Sequence, residues 1–271
     1  MSPSTVLVAS KATPTTHSAG TARPPRYSLL LSTDPAEVRA ASRLRYDVFA
    51  TELGARLTGD RPGYDIDRFD EFCDHLLVRE DHTASIVGCY RMLPPARARA
   101  AGGLYTGTEF VIANLAPLRS LLVETGRACV HPDHRSGAVM GLMWSGILRY
   151  LTLTGNRWLL GCASVPLGAG AQAGALVRGV HAEVQRRYAA PAEYRLRPLR
   201  PVVLDGVPLA QTQPPPRTVL PPLLKGYLRL GAWVCGEPAL DADFGVADFP
   251  VLLDSHRIDP RYVRRLLGVQ P

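Results

Sequence analysis

Apolar residues recur at helical spacing over residues 34–53, where Val38, Ala41, Leu44 and Val48 form one stripe. Asp34 stands where an N-cap is needed, Pro35 at the first helical position, and Glu37 completes a capping box, so the pattern predicts a helix with a marked start. Arg45 lies four residues after Ala41 and four before Phe49, on the border of the stripe, and is predicted to face inward. Two strand patterns follow, "HLLVRE" and "SIVGCYRMLP". In the second, Val87, Cys89 and Leu93 make a core face, and Arg91 shares their parity. Residues 120–130 read as a buried strand, 137–154 as a largely apolar helix and 157–165 as another buried strand. A parallel pair joined by one crossover helix is the economical arrangement, and the hairpins before it make the sheet mixed. Residues 171–188 read as helix, 193–204 as extended, and "LLKGYLRLGAWV" as short and amphipathic.

The strand "LVETGRACVHPDHR" carries two charges among residues suited to a dry position, Glu124 and Arg127. Side chains alternate along a regular strand, so these two should point opposite ways. One extra residue would bring them to one face, and a glycine inside a strand pattern marks such a β-bulge. With Gly126 as the bulge, the ladder opens beside both charges and frees a backbone group. An ordinary edge-strand ion pair between Glu124 and Arg127 is the alternative.

The chain of 271 residues is 46% hydrophobic and 20% charged, which suits one large globular domain or a domain with an extension. No apolar run approaches the roughly 18 to 20 residues that a membrane-spanning helix needs. Residues 1–25 are rich in Ser, Thr, Ala and Pro without an acidic residue and are expected to be disordered. Five widely separated cysteines in apolar contexts read as reduced core thiols and point to the cytoplasm. The net charge of +7, concentrated in the first 26 residues and in 186–229, favours an acidic partner. Nucleic acid is not favoured, because no basic run carries interleaved aromatics and no zinc-finger spacing occurs. Gly168, Gly170 and Ala173 match a dinucleotide fingerprint, but Pro166 separates them from the strand and no alternating βα units surround them. Cys129, His131 and His134 lack a fourth ligand, so no metal is expected. Arg45, Arg91 and Arg127 are each placed inward or at the bulge, and Asp67, Asp70 and Glu124 are the acids available to them. Buried arginines require partners, so these residues are expected to form one network, whether structural or functional.

"RYDVF", "DIDRFD", "CDHLLV", "VGCYRML", "ETGRACVHPDHR", "LLGCAS" and "LLKGYLRLGAWVCGEPALDADFGVADF", in that order between about residues 28 and 264, resemble the ornithine lipid synthesis N-acyltransferases. These are bacterial GNAT-fold enzymes also labelled haemolysins. Arg45 with Val48 and Phe49, Asp67 with Asp70, Arg91, and Glu124 with Arg127 also resemble the acyl-homoserine lactone synthases, except that Ala55 stands where those synthases carry tryptophan. Arg135 is followed by "SGAVMG", in which Gly137 and Gly141 are displaced from the usual GNAT pyrophosphate loop.

The resemblance implies an α/β fold with a GNAT-like mixed central sheet flanked by helices, spanning residues 26–271 with a C-terminal extension from about 205. It implies transfer of a 3-hydroxyacyl group from acyl carrier protein to the α-amine of ornithine, giving lyso-ornithine lipid, with an acyl-homoserine lactone synthase or a non-catalytic carrier- or lipid-binding module as alternatives. Glu124 is then the expected base and Arg127 its anchor or that of the acceptor carboxylate. Arg45, Phe49, Asp67, Asp70 and Arg91 would shape the acceptor pocket, and Cys129, Val130, Arg135 and Gly137 the acyl-donor and oxyanion region. The phosphopantetheine arm enters as part of the donor substrate, with no resident cofactor. Work at the cytoplasmic face, with peripheral contact to an anionic membrane, is expected.

Overall fold

The structure, a computed structural model, describes residues 4–9, 26–59, 61–135 and 137–268. Of the segment expected to be disordered, residues 1–3 and 10–25 lie outside the described residues. Ser4–Ala9, rich in Thr and Val, forms strand β1 against β2 (Tyr27–Ser32).

Helix α1 (Pro35–Tyr46) starts as its sequence predicts, with the Asp34 carboxylate accepting from the N–H groups of Ala36 and Glu37. The other half of the capping box is replaced: the Asp34 N–H donates to Ser32 Oγ. The chain continues as a π-helical turn, Asp47–Glu52, with the Leu53 N–H reaching back to the Val48 carbonyl at 3.0 Å. Such a widened turn often marks a functional site, and here it carries Phe49.

Strands β3 (Asp74–Glu80) and β4 (Ile86–Leu93) form the expected hairpin. Helix α2 (Pro95–Ala100), β5 (Phe110–Val111), β6 (Leu122–Val130), α3 (Gly137–Thr154) and β7 (Trp158–Pro166) follow. β6 and β7 are parallel, with α3 as their crossover. Helix α4 (Ala175–Arg187) begins later than the apolar pattern indicates, because residues 170–172 form a 3-10 turn and Gly174 adopts φ +78°. Residues 193–204, expected to be extended, pair only as two-residue pieces: β8 (Arg197–Pro198) with β5, and β9 (Val203–Leu204) with β10 (Val207–Pro208). Then come α5 (Pro222–Arg229), β11 (Trp233–Val234), β12 (Ala239–Asp241), β13 (Val246–Asp254) and α6 (Pro260–Leu267).

The main sheet runs β1-β2-β3-β4-β6-β7-β13-β11, with β12 beside β13, and every pairing except β6–β7 is antiparallel. The segment from about residue 205, read as an extension, therefore contributes β13, which pairs with β7 from Val246–Pro166 to Asp254–Trp158.

Strand alternation divides the core. Leu29, Leu76, Met92, Val123, Leu159 and Phe249 turn to one face and pack against α3, α4 and α5 through residues such as Ile147, Val180 and Leu224. Each such leucine or phenylalanine, fully buried, stabilises the fold by roughly 1.5 to 3 kcal/mol. α3 approaches closely because Gly146 has no side chain; a Cβ there would lie 2.9 Å from Leu29 Cδ2. On the opposite face α1 covers Leu30, Leu77 and Cys89, while α2 and the turns before β6 cover Leu93, Leu122, Leu160 and Leu252. Arg91 lies on β4 between Cys89 of one cluster and Leu93 of the other, where the two apolar patches meet at a polar seam. Among the described residues no helix is long and apolar enough to cross a membrane.

Candidate active site

Two irregularities of β6 build a cleft. Against β4, Cys129 pairs with Cys89 and Gly126 with Arg91, so Arg127 and Ala128 together face Tyr90 alone. The expected bulge exists, but one residue later than expected: Gly126 stays in the ladder, and Arg127 takes the left-handed conformation at φ +53°. An L-residue there costs about 1 to 2 kcal/mol, so its surroundings must hold it. Against β7, the parallel ladder runs from Leu122–Trp158 to Thr125–Gly161 and stops, while β7 continues along β13. At the last paired position a Cβ on Gly161 would lie 2.8 Å from the Thr125 carbonyl oxygen, so only glycine permits this approach. Beyond it the strands part. Gly126, Arg127 and Ala128 of β6 and Cys162 and Ser164 of β7 line a cavity of about 100 Å3, together with Phe49, Phe69, Tyr105 and Phe244.

Glu124 lies in this cleft, 4% exposed. Its carboxylate accepts from the Tyr105 N–H at 2.6 Å, the Thr106 N–H at 2.7 Å and the Thr106 hydroxyl at 2.6 Å. Burial pushes its proton affinity up, opposed by those three donors and by the charge of Arg91. The result is a fixed carboxylate, dry enough to take a proton and bonded well enough not to turn. Arg127 does not anchor it, contrary to the sequence expectation. The bulge swings that guanidinium to Asp65 and Asp67, at 3.2 Å each, and over the rings of Tyr105 and Phe244 at 5.2 and 4.9 Å.

The arginines do form one network, and its third acid is Asp65, not Glu124. Arg45 makes a two-pronged bond to Asp70 at 2.7 and 2.8 Å, reaches Asp65 through Nε at 2.9 Å and donates to the Asp65 carbonyl. Arg91 bridges Asp67 at 2.6 Å and Asp70 at 3.2 Å. Three arginines and three aspartates thus balance in charge, as burial requires. Burial pushes the Asp70 carboxyl up, but Arg45 and Arg91 outweigh this and hold it below the usual carboxylate range. Asp65 was legible only as one more acid in "GYDIDRFD", where the pairing pattern drew attention to its neighbours.

Phe49, Arg91, Glu124 and Arg127 therefore line the cleft, and Asp67 lines a groove that adjoins it and shares Tyr105, Arg127, Asp241 and Phe244 with it. Arg45 and Asp70 lie behind them; Arg45, 1% exposed, positions the acidic loop and cannot meet a substrate. Cys129 turns into the core, its sulfur 3.4 Å from that of Cys89, and Ala128 takes the cleft position. Neither Val130 nor Gly137 lines the cleft; Gly137 opens α3 with free space where a Cβ would be. Arg135 forms a two-pronged pair with Glu52 at 2.6 Å and donates to the Val130 carbonyl at 3.2 Å.

Sequence reasoning missed Thr106, which holds Glu124, and three acids beside it. Glu109, Asp241 and Asp248 bring their carboxylates within 4.8 Å of one another. Asp241 and Asp248 lie inside the stretch "EPALDADFGVADF" but no pattern in it singles them out, and Glu109 lies outside every stretch that carries the resemblance; the three come from a turn before β5, the end of β12 and the third residue of β13.

Residues 44–145 match the family model described as an acetyltransferase (GNAT) domain. The chain is 34% identical over 247 residues to the L-ornithine N(alpha)-acyltransferase of Rhizobium meliloti (strain 1021), with 86% of this chain and 81% of that one covered. It is 35% identical over 245 residues to the L-ornithine N(alpha)-acyltransferase of Brucella abortus (strain 2308), with 86% of each covered. Among solved structures, the CoA-dependent acyl-homoserine lactone synthase BjaI, with SAM and isopentyl-CoA, aligns at a TM-score of 0.50 and 17% identity, covering 88% of this chain and 85% of that one. The acyl-homoserine lactone synthase LasI aligns at 0.50 and 12% identity, covering 90% and 96%. At such identities the two structures speak for the fold, a mixed α/β acyltransferase sheet flanked by helices.

Proposed function

The chain belongs to the L-ornithine N(alpha)-acyltransferase family and is an amide-forming acyltransferase of the GNAT fold, and from that premise we propose that it moves a 3-hydroxyacyl group from acyl carrier protein to the α-amine of ornithine, giving lyso-ornithine lipid. The observation that carries the reading is the Glu124 carboxylate, held by three donors in the notch where β6 and β7 part.

The amine nitrogen attacks the thioester carbonyl, a C–N bond forms and the C–S bond breaks, and the sulfur leaves as a thiolate that takes up the second proton shed by the nitrogen, giving the thiol of the donor's phosphopantetheine arm. Glu124 takes the proton that the ammonium must lose before it can attack. The unpaired edges of β6 after Thr125 and of β7 after Gly161 offer backbone groups to an extended, amide-bearing arm, in the manner of strand addition. The bulge at Arg127 and Ala128 interrupts the ladder beside the cleft, and a backbone N–H freed there would meet the developing oxyanion. Arg127 holds the acceptor's carboxylate, sharing its guanidinium with Asp65 and Asp67. A carrier-protein donor is favoured over free coenzyme A because Arg135 is engaged by Glu52 and the glycines after it are displaced from a pyrophosphate cradle.

The purified protein should be given 3-hydroxyacyl carrier protein with ornithine or with S-adenosylmethionine, and acyl-CoA in a parallel reaction. The expected product has the mass of N-acylornithine, from the carrier-bound donor. An acyl-homoserine lactone mass would move the chain to the synthase reading, and equal turnover of acyl-CoA would remove the carrier-protein preference.

A further inference from the structure

Glu109, Asp241 and Asp248 are 2, 7 and 4% exposed, and no ion pair among the described residues includes any of them. A buried carboxylate needs a cation or a full set of donors, as the neighbouring network of three arginines and three aspartates and the three donors on Glu124 show. Part of the trio is satisfied by neutral donors. The Ser164 hydroxyl donates to Asp248 Oδ1, and the N–H groups of Asp243 and Phe244 donate to Asp241 Oδ1 at 3.0 and 3.1 Å. Glu109 Oε2, sealed from water, has no hydrogen-bond partner. It faces the two other carboxylates, beside a groove that it lines with Asp241, Tyr105 and Arg127.

Asp241, Tyr105 and Arg127 also line the cleft that holds Glu124, and the turn Tyr105–Thr108 separates the two acidic centres. Thr106 at one end of the turn binds Glu124, and Glu109 follows its other end. An amino acid with its α-amine at Glu124 and its carboxylate at Arg127 would point its side chain toward the trio.

We propose that Glu109, Asp241 and Asp248 form the binding site for a primary ammonium on the acceptor's side chain, and so select a diamino acid over one with an apolar tail. The inference rests on the reading of an amino-acid acceptor given above and names the part of the pocket that reads its far end. An ammonium offers three N–H donors, one for each carboxylate of the trio, and Glu109 Oε2 stands without a hydrogen-bond partner to receive one. A hard divalent cation needs about six oxygens, while Tyr105, Cys162 and Phe244 nearby supply rings and a thiol. Burial first, then the charge of Asp248, pushes Glu109 up to about 8, and burial pushes Asp248 up to about 6, which is how acids without a counter-ion behave.

The test measures binding of ornithine and of norvaline, the same carbon skeleton ending in a methyl group, to the full chain by calorimetry without acyl donor. kcat/KM for each acceptor follows. The wild type should prefer ornithine in both assays, and Glu109→Gln and Asp241→Asn should each cut that preference about 10- to 100-fold. Melting temperatures show whether the variants fold, and Glu109→Gln, which removes a buried acid without a partner, should not lower it. An ornithine-to-norvaline ratio that both folded variants retain overturns the inference while leaving the acyl-transfer reading intact. Preferential binding of ornithine that is lost in the variants, without any acylation of it, keeps the ammonium site and overturns the acceptor reading. Tight Mg2+ or Mn2+ binding that disappears in Glu109→Gln, with amino-acid preference unchanged, makes the trio a metal site and overturns the inference as well.

Discussion

Glu124 and Glu109 sit on the two sides of one short turn, and their surroundings give the two carboxyls opposite standing. Three donors fix the first, whereas the second keeps an orphaned oxygen. Replacement of Glu124 by Gln should lower turnover by about 100- to 10,000-fold at saturating substrates, as loss of a general base does, with little change in melting temperature. Stopped or steady-state acyl transfer at an undiminished rate would remove Glu124 from the chemistry. For Glu109 the expected signature is in stability. Its folded-state affinity for a proton is raised to about 8 from 4.5, so between those values the native state holds a proton that the unfolded chain has lost. Stability therefore falls as pH rises through that window. Of the groups facing it, Asp248 and Asp241 add to the rise that burial begins, Tyr105 and Cys162 oppose it, and Arg127 lines the same groove. Glu109→Gln should gain about 1 to 3 kcal/mol at pH 8 and little at pH 4.5, read from denaturant unfolding at both values. A gain that does not grow with pH would mean Glu109 is ionised without penalty in the fold.

At the scale of elements, much of the arrangement was legible because it is written in short-range patterns. The α1 cap, the β3–β4 hairpin and the β6–α3–β7 crossover all follow from residues within one element or two adjacent ones. The bulge was legible as a kind of feature and misplaced by one residue, because a glycine marks where the backbone can bend while the pull of Asp65 and Asp67 on Arg127 determines where it does. Asp65, Thr106 and the acid trio were not legible as a site, since Asp65 and Thr106 act through partners from other segments and the paired strands that carry Asp241 and Asp248 meet Glu109 only in the fold. The network joins α1, the acidic loop, β4 and β6, so losses within it should not add. Asp70→Asn and Arg45→Met should each cost about 3 to 5 kcal/mol, and the double variant clearly less than their sum, by chemical denaturation. Simple additivity would mean the pair is not one unit. Gly161→Ala should force β6 from β7 at the floor of the cleft, costing about 1 to 3 kcal/mol and impairing acyl transfer more than Gly155→Ala or other changes at a surface turn.

For the molecule as a whole, the charge pattern becomes a question of docking. Arg197, Arg200 and Lys225 are exposed, and Arg200 lines the groove beside the acid trio. Reversing the three should raise the KM for an acyl carrier donor and weaken binding to anionic vesicles at low salt. Both effects should fade as ionic strength rises, because charges more than about 8 to 10 Å apart are then screened. Unchanged KM and vesicle binding at low salt would place the docking face elsewhere. The sequence showed a basic excess in residues 186–229 but not which of those charges are neutralised; Arg186 and Arg187 both turn to Glu183 and are poor docking groups.

The pairing of β13 with β7 also has a consequence in time. During synthesis at roughly 5 to 20 residues per second, β7 emerges several seconds before its partner. Until β13 arrives, one edge of β7 has no partner along its length, and Asp248 has not joined the acid trio. The nascent chain thus carries an adhesive apolar edge from the emergence of β7 until Val246–Asp254 is made, and over that interval can hold neither a finished cleft nor the full acidic site. A ribosome stalled just after α5 should yield a species that chaperones bind and proteases clear, and full-length chains alone should escape both.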